Sequence, residues 1–195
     1  MTNKPPDVAP ARRELLVRGA KFNYERLTYA GPDGIDVSRE CVRHPGAVII
    51  LPLLHSQEGP RLVMIRNWRF SVESWLYELP AGTLEPGEDP AACAARELSE
   101  ETGYEAVSIR PLCRFLTSPG LSDELMHAYI ATDLRHVGQH LEADERVTVH
   151  PTPIGECLDM VRAGAITDAK TMLTLLWAHR EGLLDQERVA QASGL

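Results

Sequence analysis

Apolar and polar residues follow a pattern along this chain that predicts more strands than helices. The segment AVIILPLL at 47–54 is continuously apolar, which is typical of a strand buried on both faces. Shorter strand-like runs are predicted at 61–68, 75–82, 106–116, 125–131 and 147–150. This pattern favours an α/β or α+β fold, in which helices pack on a mixed sheet.

Three more strand-like runs precede this main region, at 15–22, 24–29 and 35–42. A Pro-Asp-Gly turn signal separates the last two, so we predict a small antiparallel sheet in the N-terminal part. The chain then divides into four predicted parts: a flexible tail at 1–12, this sheet at 13–43, a main domain at 44–183 and a C-terminal tail at 184–195.

Three helices complete the predicted elements. The first covers about 90–102, because Asp89 is a good N-cap and Pro90 suits the first helical position. Gly103 suits the left-handed residue that often ends a helix. The other two helices are predicted at about 153–162 and, after an Asp168 cap, up to Arg180.

Composition excludes several classes of protein. The 195 residues are 44% hydrophobic and 25% charged, which is ordinary for a globular chain. The formal charge of −8 disfavours binding to nucleic acid or to an anionic membrane. The chain has no apolar run of about 18 residues and no signal-peptide core, so we expect no membrane association. The four cysteines, Cys41, Cys93, Cys113 and Cys157, are widely spaced and predict free thiols in a cytoplasmic protein.

The first predicted helix carries a cluster of carboxylates. Glu97 and Glu101 lie one helical turn apart, and Glu100 lies close to the same face. Their mutual repulsion destabilises the helix unless a cation binds, and Arg96 relieves only part of it. Oxygen ligands in this spacing suit Mg²⁺ or Mn²⁺, and magnesium is commonly shared with substrate phosphates. Taken alone, these residues also fit an ordinary solvated acidic face.

A longer motif surrounds this cluster. The pattern Gx5Ex7REUxEExGU, the Nudix box, is reproduced by Gly82, Glu88, Arg96, Glu97, Leu98, Glu100, Glu101, Gly103 and Tyr104. Only the last of these is a soft match, since an aliphatic residue is more common there. The chain therefore resembles the Nudix family. The resemblance implies a mixed sheet sandwiched between helices, and divalent-metal hydrolysis of a nucleoside diphosphate linked to another group.

The resemblance also implies roles for residues of the box. Metal ligation would fall to Glu97, Glu101, Glu100 and the backbone carbonyl of Ala81. Arg96 would orient the carboxylates, and Glu88 would brace the loop.

Segments outside the box resemble one subfamily, the ADP-ribose pyrophosphatases. IRNWRF at 65–70 and ELPAG at 78–82 resemble the segments that precede the box in those enzymes. Pro119, in the segment TSPGLSDE, lies about 15 residues past the box, where they carry a proline. ITDAKTMLTLLWA at 166–178 resembles their C-terminal helix. The implied reaction converts ADP-ribose to AMP and ribose 5-phosphate.

The same resemblance implies a set of substrate contacts. They are Arg66, Trp68, Arg69, Glu78, Ser118, Pro119 and Glu124. Arg69, together with Arg66, can pair with phosphate oxygens, and Trp68 can stack on the base. Core packing for the tryptophan and a solvated strand edge for the arginines are the alternatives.

A catalytic base is implied on the loop at about 135–146. The first choice is Glu145 and the second is Glu142, with Asp144 between them. The position of the base within this acidic run stays open, and a merely solvated acidic loop is the alternative. The base would activate water for in-line attack on one phosphorus.

Two other functions remain as alternatives. An enzyme of the same fold can act on GDP-mannose, UDP-glucose or a broad range of nucleoside diphosphate sugars. A non-catalytic Nudix-like binding or regulatory module is disfavoured by the intact box. In the resembling enzymes an N-terminal sheet exchanges between subunits, so the resemblance implies a homodimer.

Overall fold

The structure is a computed structural model, and it describes residues 12–31, 33–141, 143 and 145–185. In chain order these residues form β1 (Arg12–Arg18), β2 (Asn23–Ala30), β3 (Asp36–Arg43), β4 (Ala47–Leu54), β5 (Arg61–Arg69), β6 (Ser74–Glu78), β7 (Ala81–Thr83), α1 (Pro90–Thr102), β8 (Tyr104–Leu116), β9 (Leu125–His136), β10 (Val147–Pro153), α2 (Ile154–Arg162) and α3 (Ala169–Arg180). Among these described helices, none has the length and apolar character needed to cross a membrane.

The chain divides into two compact units, and the first contains the described residues up to Gly46 together with Leu116–Leu125. Strands β1, β2 and β3 form an antiparallel sheet with β2 in the centre, which confirms the small sheet predicted from the sequence. The 116–125 segment joins this unit through the hydrogen bond from Val42 N to Leu121 O, 2.9 Å, and the ion pair of Arg43 with Asp123, 2.8 Å. The sequence prediction had not grouped this segment with the sheet.

The second unit contains a seven-stranded mixed sheet with the order β10-β5-β4-β9-β8, where β6 also pairs with β5 and β7 with β4. Strand β4 runs parallel to β9 and antiparallel to β7. Every residue of β4 except Leu54 is buried, as its continuous apolar run predicts.

Alternate residues of β4 pack on opposite sides of this sheet. One side packs against α2 and α3 through Ala47, Ile49, Leu51 and Leu53. The other side packs against α1 through Val48 and Ile50. The mixed sheet is therefore sandwiched between helices, and the predicted fold class is confirmed.

The segment predicted as one strand at 75–82 forms two. β6 pairs with β5 and β7 pairs with β4, so the chain changes partner between them. Pro80 lies at this change because it has no N–H to donate, and its carbonyl accepts a hydrogen bond from Ile50 N, 2.9 Å. Because of this change of partner, Ala81 and Gly82 do not continue the pairing of β6 with β5 and lie next to β4 instead.

Candidate active site

Helix α1 forms where the sequence predicts it. The Asp89 carboxylate caps the helix by accepting hydrogen bonds from Ala91 N, 3.1 Å, and Ala92 N, 3.2 Å. Gly103 ends it with φ of 73°, a left-handed conformation. The capped helix packs on β4, which gives the carboxylates of its last turns a fixed support.

Two of these carboxylates are buried, with Glu97 8% and Glu101 3% exposed. The Glu101 side chain accepts a hydrogen bond from Ala81 N, 2.8 Å. Burial raises the pKa of Glu101 to about 8; the Ala81 hydrogen bond opposes this, and the charges of Glu97 and Glu145 add to it. Burial also raises the pKa of Glu97.

Arg96 holds three acidic side chains of the box. It forms two hydrogen bonds with Glu88, from Nε, 3.0 Å, and from Nη2, 3.2 Å. Its Nη1 donates to Glu97, 2.8 Å, and to Glu100, 2.9 Å. The hydrogen bonds from Arg96 and from Glu85 N lower the pKa of Glu88 to about 2. These contacts are compatible with the orienting role of Arg96 and the bracing role of Glu88, which stay predictions.

Strand β7, which precedes α1, passes very close to the Glu97 carboxylate. A Cβ atom at Gly82 would lie 1.9 Å from the carboxyl carbon of Glu97, so a larger residue there would require the Glu97 side chain to move. The backbone of β7 can therefore reach the two buried glutamates.

The donor set at this place fits a divalent cation. Glu97, Glu100 and Glu101 offer carboxylate oxygens, and that of Glu101 lies beside the Ala81 backbone. Hard oxygen ligands suit Mg²⁺ or Mn²⁺. A buried carboxylate beside like charges is costly without a cation. Within the described ranges, no three acidic, histidine or cysteine side chains already converge on one point. Arg96 lies between two of the candidates instead.

A second charged cluster joins β5, β6 and α3. Arg69 donates to both carboxylate oxygens of Glu78, from Nε at 2.7 Å and from Nη2 at 2.5 Å. Lys170 donates to Glu78, 2.7 Å, and to Asp168, 2.8 Å. Burial acts to raise the pKa of Glu78, but Arg69 and Lys170 outweigh it and the pKa is lowered. Glu78 occupies the Nε–Nη2 edge of the Arg69 guanidinium, so the predicted phosphate contact would fall on the edge that includes Nη1. Lys170 is a candidate that the sequence analysis missed.

The side chains of Arg66 and Trp68 do not lie on the same face of β5 as that of Arg69. Residues two apart share a face of a strand, so Arg66 and Trp68 lie on the opposite face of β5 from Arg69. The Arg66 guanidinium lies 5.5 Å from the ring centroid of Trp75 and 5.7 Å from that of Tyr77. The structure does not bring these two predicted contacts together with the arginine that faces Glu78.

The remaining predicted substrate contacts belong to the first unit. Ser118 and Pro119 are exposed there. Glu124 accepts a hydrogen bond from Thr117 Oγ1, 2.5 Å, and lies 3.6 Å from His44 Nε2. Their roles in substrate binding stay predictions.

The loop between β9 and β10 carries the predicted base. Glu145 is close enough for its charge to raise the pKa of both Glu97 and Glu101. Glu142 and Asp144 lie outside the described residues. The choice of base within this run therefore stays a prediction.

Residues 43–157 match the NUDIX domain family. This is more than half of the chain, and the chain belongs to that family. The box at 82–104 lies inside the matched range.

Three curated relatives are similar over most of the chain. The ADP-ribose pyrophosphatase of Bacillus subtilis is 36% identical and aligns over 80% of this chain and 84% of its own length. The methanol dehydrogenase activator of Bacillus methanolicus is 39% identical over 74% and 77%, respectively. The GDP-mannose pyrophosphatase of Citrobacter koseri is 36% identical over 81% and 86%.

A solved structure described as an ADP compounds hydrolase has a TM-score of 0.76 and 23% identity, and covers 92% of this chain and 97% of that chain. At this identity the likeness concerns the fold alone, and it agrees with the sandwiched mixed sheet.

Proposed function

We propose that this protein hydrolyses the diphosphate of ADP-ribose, releasing AMP and ribose 5-phosphate, with Mg²⁺ as the divalent metal and Mn²⁺ as a substitute. The observation that carries the proposal is the buried pair Glu97 and Glu101, which faces the Ala81 backbone on an intact Nudix box. The similarity to an ADP-ribose pyrophosphatase over most of both chains supports the choice of substrate.

We assign residues of the second unit to three roles: metal binding, orientation of the metal ligands and phosphate binding. Glu97, Glu100, Glu101 and the Ala81 carbonyl would hold the metal, which when bound neutralises charge on the diphosphate and polarises it for attack. Arg96 keeps two of these carboxylates in place. The Nη1 edge of Arg69 would donate to a phosphate oxygen of the substrate.

The proton of the attacking water goes to a loop carboxylate. Glu145 is the base we propose, with Glu142 as the second choice, because the charge of Glu145 already acts on Glu97 and Glu101. Both buried glutamates are thereby linked electrostatically to the loop that delivers the base.

A second candidate substrate class is GDP-mannose and related nucleoside diphosphate sugars. The similarity to a GDP-mannose pyrophosphatase, 36% identical over 81% of this chain, favours it. The metal site and the base would be unchanged, because these substrates share the diphosphate and differ in the groups attached to it.

We further propose a cytoplasmic homodimer formed through the first unit. Its described residues include exposed large apolar side chains, namely Leu15, Val17, Phe22, Ile35 and Val37. The four cysteines are free, which suits a reducing compartment. Light scattering after size exclusion should give about twice the chain mass of 21.6 kDa, and a mass near 21.6 kDa would contradict the dimer.

A substrate panel tests the proposed reaction. ADP-ribose, GDP-mannose, UDP-glucose, NADH and a diadenosine polyphosphate are compared by kcat/KM, first with Mg²⁺ and then with Mn²⁺. We expect ADP-ribose to lead, with AMP as product. A panel led by GDP-mannose would favour the second candidate, and no hydrolysis of any of these compounds would reject both.

A further inference from the structure

The C-terminal end of α1 is completed by the loop that follows β9. The last carbonyls of a helix lack intrahelical donors, and those of Glu100 and Glu101 fall in this turn. His140 N donates to Glu100 O, 3.0 Å, and Gln139 Nε2 donates to Glu101 O, 2.6 Å. One backbone donor and one side-chain donor from the loop therefore satisfy two orphan carbonyls.

Gly103 allows this close approach. Its carbonyl accepts hydrogen bonds from Val137 N, 2.8 Å, and Gly138 N, 3.2 Å. A Cβ atom at Gly103 would lie 2.8 Å from the backbone of both Gly138 and Gln139. The loop backbone lies directly against the end of the helix.

The other end of the loop is fixed to the sheet. Arg146 O accepts a hydrogen bond from Trp68 N, 3.0 Å, and β10 then begins at Val147 opposite Asn67. The Arg146 guanidinium also donates to the carbonyls of Ala143, 3.2 Å, and Glu145, 2.9 Å. The short span between these two attachments carries Glu145.

Gln139 therefore joins two parts of the proposed site. Its amide binds the backbone of Glu101, a proposed metal ligand, and its own loop carries the proposed base. We propose that Gln139 is a positioning residue, which holds the loop on the metal-binding helix so that Glu145 faces the substrate. This inference rests on the proposed function.

A positioning role of Gln139 and a purely structural role predict changes in different kinetic constants. Gln139 is not proposed to contact substrate, so its loss should leave KM within about 2-fold. A misplaced base lowers kcat, and displacement by about 1 Å costs on the order of 10–100-fold. A purely structural role would lower the amount of folded enzyme and leave the kcat of the folded fraction unchanged.

The test is a double-mutant cycle that combines Gln139→Met with Glu145→Gln. Methionine is similar in size to glutamine and is uncharged, but it has no hydrogen-bond donor. The matched control is Gln57→Met, in the exposed turn between β4 and β5. We expect Gln139→Met to lower kcat at least about 10-fold, and to have less than about a 2-fold further effect in the Glu145→Gln background. Multiplicative effects of the two substitutions would overturn the proposal.

A readout without metal or substrate accompanies the cycle. Hydrogen exchange of residues 137–141 should speed up at least about 10-fold in Gln139→Met and stay unchanged in the control. Faster exchange with an unchanged kcat would overturn the positioning role while leaving the proposed function intact. If Glu145→Gln itself hydrolyses ADP-ribose like the wild type, the assigned base fails, and the positioning role fails with it.

Discussion

The Glu101 side chain at the end of α1 accepts a hydrogen bond from the backbone N–H of Ala81, 2.8 Å away. This contact closes the Nudix box on itself, because it joins the strand before the loop to the last turn of the helix after it. The box spacing thus has a direct geometric meaning. It brings a backbone segment and a buried carboxylate to one place, where we propose that a divalent cation binds.

Gly82→Ala should disrupt this arrangement. The new Cβ would lie 1.9 Å from the Glu97 carboxyl carbon, so the glutamate or the strand must move. We expect kcat/KM to fall by about 10²-fold or more, as is usual for a displaced catalytic group. The control is Gly155→Ala in α2, where a Cβ meets nothing within 4 Å. Equal activity of the two variants would contradict the account.

The Arg96→Lys variant tests whether the positive charge of Arg96 is sufficient or whether its contacts with three carboxylates are also required. Lysine keeps the positive charge but cannot contact Glu88, Glu97 and Glu100 together, as the guanidinium does. We expect kcat to fall about 10-fold and the Mg²⁺ concentration for half-activation to rise. Arg162→Lys, at an exposed pair with Asp159 in α2, should retain both values. A wild-type magnesium titration for Arg96→Lys would show that the shared guanidinium contacts are dispensable.

Glu78→Gln should destabilise the fold. Glu78 is fully buried and pairs with both Arg69 and Lys170, so its loss removes a carboxylate partner from each cation, while Lys170 keeps its contact with Asp168. Removing one member of a buried ion pair costs about 3 kcal/mol of unfolding free energy, measured by urea unfolding. The exposed pair of Glu58 with Arg61 provides the control, since Glu58→Gln should cost less than about 1 kcal/mol.

The same carboxylate should make stability depend on acid pH. Its folded-state pKa is lowered, so the stabilisation is present above the unfolded-state value, about 4.3, and is lost as pH falls through the folded-state value. The difference in unfolding free energy between wild type and Glu78→Gln should therefore be largest at neutral pH and shrink below about pH 4. A constant difference from pH 7 to pH 3 would contradict the assigned ion pair.

Local signals predicted the elements that carry the box. The cap residue Asp89 and the terminal Gly103 act within one helical turn, so the bounds of α1 follow from the sequence. The split between β6 and β7 was not predicted, because it depends on which strand offers a partner to each side of Pro80. Such pairing is decided by distant residues.

In the candidate site, too, local features could be predicted from the sequence and long-range contacts could not. The acidic residues of α1 could be named from their spacing, since helix geometry fixes which side chains lie together. Lys170 and Gln139 were missed because their partners, Glu78 and the Glu101 carbonyl, are far away in the sequence. The opposite facing of Arg66 and Arg69 follows from strand alternation, once the limits of β5 are known.

The most direct test of the central claim is the hydrolysis of ADP-ribose by Glu101→Gln with saturating Mg²⁺. Glutamine keeps the size of the side chain and an oxygen for the Ala81 N–H, but it cannot supply the carboxylate that the proposed metal site requires. We predict a fall in kcat of at least about 100-fold, with the melting temperature of the metal-free protein not lowered. Glu156→Gln, exposed on α2, should match the wild type. Hydrolysis by Glu101→Gln at the wild-type rate would contradict the proposed metal site.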